Sequence, residues 1–196
     1  MPKKKVVLAS SSPRRKELLK KIVKNFKVSV SSIDETKIKA RSPEGFALKA
    51  ALAKAEAVAE KQKNALVIGA DTIVVLGKKI LGKPKNKADA FKMLKSLCGR
   101  VQKVITGVAI VDSDTLEKVT SYEVTKVKMK KASDQTIHHY IETFKPLDKA
   151  GAYGIQEMDK VFINKIVGDY DNVVGLPVKL LKKLLGTKVP CPLATN

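Results

Sequence analysis

The stretch Leu66-Val67-Ile68-Gly69-Ala70-Asp71-Thr72-Ile73-Val74-Val75-Leu76 constrains this chain more than any other. It is apolar and largely β-branched, the pattern of a long strand built for burial. An acid nevertheless stands in its middle. A carboxylate there must be paired, bound to a metal or set at the edge of a cleft. The plainer alternative is a hydrogen-bonded structural aspartate.

The rest of the chain supplies elements to flank that strand. Val6-Val7-Leu8-Ala9 reads as a short buried strand running into three serines. A helix over 13–23 follows, with Ser12 as its cap and Pro13 as its first residue. Phe26 to Val30 alternates as a strand does. Pro43 to Gln62 is an alanine-rich helix behind the same Ser-Pro cap signal, and Asn64 breaks it. A short strand at Ile80-Leu81, a helix over 87–97 ended by Cys98-Gly99, two long strands over 101–111 and 119–129, and a capped helix over 133–144 come next. The stretch 146–175 reads as irregular, and a last helix covers 177–185. This order predicts a mixed twisted sheet flanked by helices, an α/β fold, within one domain over 1–196.

Composition narrows the function. With 44% hydrophobic residues the chain can bury a core. No apolar run reaches the ~18–20 residues of a membrane span. The four apolar residues after Met1-Pro2-Lys3-Lys4-Lys5 fall short of a signal-peptide core of ~7–15 residues. Cys98 and Cys191 are far apart and form neither a disulfide framework nor a zinc spacing, so a reducing cytoplasm is expected. The net charge of +20 points first to nucleic acid. Its distribution argues against that partner. Residues 1–41 hold thirteen basic and three acidic side chains, whereas 42–177 hold 22 and 16. Only four of the basic residues are arginines, aromatics are 5% and tryptophan is absent, so base readout and stacking lack their usual side chains. A lysine-rich solvated surface, or attraction of a small polyanionic substrate, accounts for the charge as well.

Four groups of residues carry candidate chemistry. Ser10-Ser11-Ser12-Pro13-Arg14-Arg15 places hydroxyls, a helix N-terminus and two guanidiniums together, the parts of a phosphate site or of an ordinary capped helix. Asp71 and the acids Asp34-Glu35 offer hard oxygen ligands that suit Mg²⁺ or Mn²⁺. Lys54 and Lys83 are each one of 35 lysines and mean little alone. In 147–156, polar side chains among small residues suit either a ligand loop or a plain one.

These blocks together resemble the Maf family of nucleoside triphosphate pyrophosphatases, the septum-formation inhibitor family. Ser10 to Arg15 resembles its S-x-S-P-R-R, Gly69-Ala70-Asp71-Thr72 its G-A-D-T and Gly82-Lys83-Pro84 its G-K-P. Thr106-Gly107, the D-K-A-G-A-Y-G-I-Q at 148–156 and the G-D-Y-x-N-V-V-G-L-P at 168–177 follow in the family's order. The resemblance implies two lobes around a deep cleft, as in the inosine-triphosphate pyrophosphatases, and metal-dependent hydrolysis of a nucleoside triphosphate to monophosphate and pyrophosphate. It places Asp71 at the catalytic acid and, with Glu35, at the divalent metal. Ser10, Arg14, Arg15, Lys54, Thr72, Lys83 and Gln156 fall on substrate-binding positions. The block ending at Gln156 resembles the dTTP- and UTP-cleaving branch; modified or purine triphosphates are the alternative substrates, and a homodimer is a further expectation of the resemblance. Glu157 stands where the family pattern has a glycine.

Overall fold

The computed structural model describes residues 4–187; Cys191 and the opening Met1-Pro2-Lys3 lie outside them. The strands are β1 (Lys5–Leu8), β2 (Lys27–Val28), β3 (Ala65–Leu76), β4 (Lys79–Leu81), β5 (Val101–Asp112), β6 (Lys118–Met129) and β7 (Ile163–Val167). The helices are α1 (Pro13–Lys20), α2 (Pro43–Ala59), α3 (Lys87–Leu97), α4 (Asp134–Phe144), α5 (Ile155–Phe162), α6 (Tyr170–Val174) and α7 (Val178–Thr187). The seven strands form one sheet in the order β2-β1-β3-β5-β6-β7, with β4 also paired to β3. β1 lies parallel to β2 and β3, whereas β4 and β7 run antiparallel to β3 and β6. The sheet is mixed, as the order of elements predicts. Among the described residues no helix is long and apolar enough to cross a membrane.

Contacts divide the chain into two units. Residues up to Thr72, Thr106–Glu123 and the chain from Gly175 form the first; Ile73–Ile105 and Val124–Val174 form the second. The chain passes between them within β3, β5 and β6 and again between Val174 and Gly175.

In the first unit the alternation of the strands meets the helical spacing of α2. Val7 and Ala9, Ala65 and Val67, and Ala109 and Val111 pack with Ala51, Ala55, Val58 and Ala59 in one buried cluster. Small residues dominate because the backbones nearly touch. A Cβ added at Gly69 would stand 2.2 Å from the Ala51 carbonyl oxygen, and one at Gly107 would stand 2.3 Å from that of Ala47. The alanine-rich sequence of α2 is thus a packing requirement as well as a helix preference. The predicted caps hold: Ser42 Oγ accepts from Gly45 N at 3.1 Å, and Ser133 Oγ from Thr136 N at 3.2 Å.

Several elements differ from the sequence reading, α2 among them, which ends at Ala59 rather than at Gln62. α1 stops at Lys20 rather than at residue 23, because Lys21 and Ile22 close with tighter bonds to Leu18 and Leu19. The strand expected over 26–30 shrinks to Lys27–Val28 at the sheet edge, where Val28 and Val30 stay exposed. The stretch 146–175 is not irregular: it holds α5, β7 and α6. α5 buries Ile155, Met158 and Phe162 at helical spacing but lacks a capping side chain, and β7 buries only Ile163 fully.

Replacing Gly107 by alanine forces a methyl into the carbonyl of α2, which cannot turn aside as a side chain can. The expected loss is about 1–3 kcal/mol or more, roughly 2–4 °C in Tm per kcal/mol for a chain of this size. Thermal unfolding of Gly107→Ala checks it; an unchanged Tm would show that α2 does not press on β5 as described.

Candidate active site

The site in the first unit grows from the end of β1 and the middle of β3. β1 leads through Ala9 into Ser10, whose Oγ accepts from Ser12 N and from an Arg15 Nη, both at 3.3 Å. Ser12 caps α1 by accepting from Arg15 N at 3.4 Å. The cap fixes the first turn of the helix, and that turn aims the Arg15 side chain. Its Nε donates to the Gly175 carbonyl at 2.9 Å and its other Nη to Thr72 Oγ1 at 3.1 Å. Thr72 Oγ1 also lies 2.9 Å from Thr106 Oγ1. Three of the five guanidinium donors are thereby committed within the protein. Burial pulls the pKa of Arg15 down, and the negative charges of Asp71 and Glu35 oppose that shift. Arg14, one residue before it, is half-buried.

Asp71 shares a face of β3 with Val67 and Gly69, the face that packs on α2. Lys54, on α2, is only 9% exposed and meets it there. Its Nζ stands 2.6 Å from Asp71 Oδ1 and 2.8 Å from Glu35 Oε1. Glu35 itself is exposed, on a 3-10 turn over Glu35–Lys37 capped by Asp34. Asp71 is 5% exposed, and its Oδ2 is buried with no hydrogen-bond partner among the described residues. An unmatched buried acceptor of this kind is costly unless a cation or a proton donor meets it.

The structure therefore brings Ser10, Arg15 and Thr72 into one hydrogen-bonded group and Glu35, Lys54 and Asp71 into a second, with Asp71 and Thr72 adjacent on β3. Lys83 and Gln156 belong to the second unit. There Gly82 accepts from Gly151 N at 2.9 Å, which ties the Gly82-Lys83-Pro84 turn to the segment 148–156. Gly151 has a φ of +68°, and a Cβ on it would meet Val74 at 3.0 Å, so glycine is required on both counts. Lys83 and Gln156 are exposed. Sequence reasoning did not assign Thr106 as the partner of Thr72 or Gly175 as a partner of Arg15; the Thr106-Gly107 and Gly175-Leu176-Pro177 blocks were their only signal. It singled out Glu157 and the block holding Lys149 but missed Tyr140, which joins them around the start of α5.

A free acid oxygen among fixed cations, on a mixed α/β sheet, marks an enzyme for an anionic substrate. The chain belongs to the Maf family: the family model described as Maf-like protein matches residues 5–188. It is 47% identical over 188 residues to a dTTP/UTP pyrophosphatase of Acetivibrio thermocellus, covering 92% of this chain and 94% of that one. A dTTP/UTP pyrophosphatase of Alkaliphilus metalliredigens is 48% identical over 182 residues, with the same coverage of 92% and 94%. One of Bacillus anthracis is 46% identical over 182 residues, covering 93% and 94%.

Arg15→Lys tests the network around Ser10. Lysine keeps the charge but cannot reach three diverging acceptors. Loss of these charge-assisted bonds should cost about 1.5–3 kcal/mol, read as a lower denaturant midpoint. An unaltered midpoint would mean that the three bonds contribute nothing.

Proposed function

We propose that this protein hydrolyses nucleoside triphosphates, dTTP and UTP among them, to the monophosphate and pyrophosphate by attack of water on the α-phosphorus. Residues 1–196 act as one catalytic domain, and the two distant cysteines suit a reducing cytoplasm. Membership of the Maf family and relatives named dTTP/UTP pyrophosphatase support the reaction and the substrates. The observation that carries the mechanism is the bare Oδ2 of Asp71.

Lys54 takes Oδ1 of Asp71 and so fixes the plane of the carboxylate. Oδ2 is left with its lone pairs available, and it receives the proton of the attacking water. The new bond joins the water oxygen to the α-phosphorus, and the bond from that phosphorus to the bridging oxygen breaks. Pyrophosphate departs with the electrons of that bond. Charge accumulates on the leaving group, where fixed donors are worth most. Arg14, Lys54 and the hydroxyl of Ser10 in the first unit serve that role, and the family resemblance assigns Lys83 to substrate binding. Arg15 acts by holding Ser10 and Thr72 in place and by lending its charge.

Asp71 and Glu35 fit a divalent cation, Mg²⁺ or Mn²⁺. Both are hard oxygen donors, Lys54 gathers them, and one oxygen of Asp71 lacks a partner. Among the described residues no group of three or more metal-type side chains occurs; with Asp71 and Glu35 holding the cation, substrate oxygens and water would supply its remaining ligands, as is usual for Mg²⁺. Such a cation, when bound, acidifies water and neutralises phosphate charge.

Gln156 matches a uracil or thymine edge. Its NH₂ donates to O4 while its carbonyl accepts from N3–H. The test is direct. UTP and dTTP should yield pyrophosphate, and Asp71→Asn should lower kcat by about 10²–10⁴ while the protein remains folded. Release of orthophosphate would contradict attack at the α-phosphorus, and an Asp71→Asn enzyme with more than about a tenth of the normal kcat would make Asp71 structural.

A further inference from the structure

Gly154 is the N-cap of α5 and has no side chain of its own to cap it. In an ordinary capping box the third helical residue, a glutamate, accepts directly from the N-cap amide. Glu157 is that third residue here, and it does not reach back by itself. Gly154 N donates to Tyr140 Oη at 3.1 Å, and Tyr140 Oη donates to Glu157 Oε2 at 3.0 Å. A tyrosine from α4 closes the box as a relay. Burial pushes the Tyr140 pKa upward, so its hydroxyl keeps the proton it donates. The ring is itself fixed by Phe144 and Phe162, with centroids at 5.1 and 5.4 Å.

The other oxygen of Glu157 is also taken. Oε1 stands 3.2 Å from Lys149 Nζ, and that ammonium reaches Asp148 Oδ1 at 3.0 Å. Lys149 is only 8% exposed, so its charge needs these partners. A Cβ on Gly154 would stand 2.8 Å from Glu157 Oε2 and 3.0 Å from Lys149 Cε. The carboxylate and the lysine stem lie directly over the glycine. Glu157 therefore spends its charge on Lys149 and Tyr140, which accounts for a glutamate where the family pattern has a glycine.

We propose that Glu157 and Tyr140 are positioning residues for Gln156: the relayed capping box, tied down by Lys149, holds the first turn of α5 so that the glutamine meets the base from one fixed place. Gln156 sits at the second helical position, between the N-cap and Glu157 in sequence, and is exposed. Its amide can rotate to suit either a uracil or a cytosine edge. A fixed backbone makes the two-bond fit to one edge good, whereas a loose turn lets both edges be met poorly. The proposal rests on the reading of Gln156 as the base contact.

The experiment measures kcat and KM with UTP and with CTP, at saturating Mg²⁺, for the wild type, Tyr140→Phe, Glu157→Gln, Gln156→Ala and the double variant Tyr140→Phe/Gln156→Ala. Tyr140→Phe keeps the ring and its packing, and Glu157→Gln is the second probe should it not fold. Each should raise KM for UTP about three- to tenfold, the worth of one such hydrogen bond, with kcat within about twofold. KM for CTP should change less. In the Gln156→Ala background the removal of the Tyr140 hydroxyl should add nothing, since the two act as one unit. If Gln156→Ala narrows the preference for UTP but Tyr140→Phe and Glu157→Gln leave it intact, the positioning role is wrong and the base contact stands. If Gln156→Ala leaves the preference unchanged, the base contact is wrong and the positioning role falls with it.

Discussion

The backbone of α2 rests on two glycines, and the placement of the acid depends on it. At Gly69 the helix comes so near to β3 that not even a methyl fits. Asp71 is two residues further along the same face, and Lys54 is one residue before Ala55, which also borders Gly69. Close approach at the glycine is what lets a lysine on the helix reach a carboxylate on the strand at 2.6 Å. A bulkier pair of surfaces, about a methyl or two further apart, would leave both charges buried and unpaired, at a cost of several kcal/mol per ion.

The same economy makes the charged residues interdependent. Lys54 is shared by two carboxylates, and Arg15 by a carbonyl and two hydroxyls. Removing one partner of a buried pair strands the other. Ser10, Arg15 and Thr72 consequently act as a single rigid corner, and Glu35, Lys54 and Asp71 as another. Rigidity of this kind suits a reaction whose charge develops on a leaving group, because prearranged dipoles need not reorganise.

Much of this was legible in the sequence, for identifiable reasons. The run Leu66–Leu76 announces its strand because burial on both faces leaves only apolar side chains, and its lone acid announces itself by contrast. Ser12, Ser42 and Ser133 announce helix starts because the cap is a local interaction. Lys54 carries no such mark: among 35 lysines only the resemblance singles it out, since its role depends on a strand seventeen residues away. α5 and β7 are obscured for the opposite reason. The cap of α5 comes from Tyr140 on another helix, so its start carries no local signal although Ile155, Met158 and Phe162 stand at helical spacing, and β7 has a mostly exposed face. Tyr140 itself looks like any core aromatic in sequence.

In the proposed mechanism water attacks the α-phosphorus, with Asp71 as the proton acceptor. Hydrolysis of UTP in ¹⁸O-water, followed by mass spectrometry of both products, measures the point of attack directly. The label should appear in the monophosphate and be absent from the pyrophosphate. Label in the pyrophosphate would place the attack on the β-phosphorus and contradict the account.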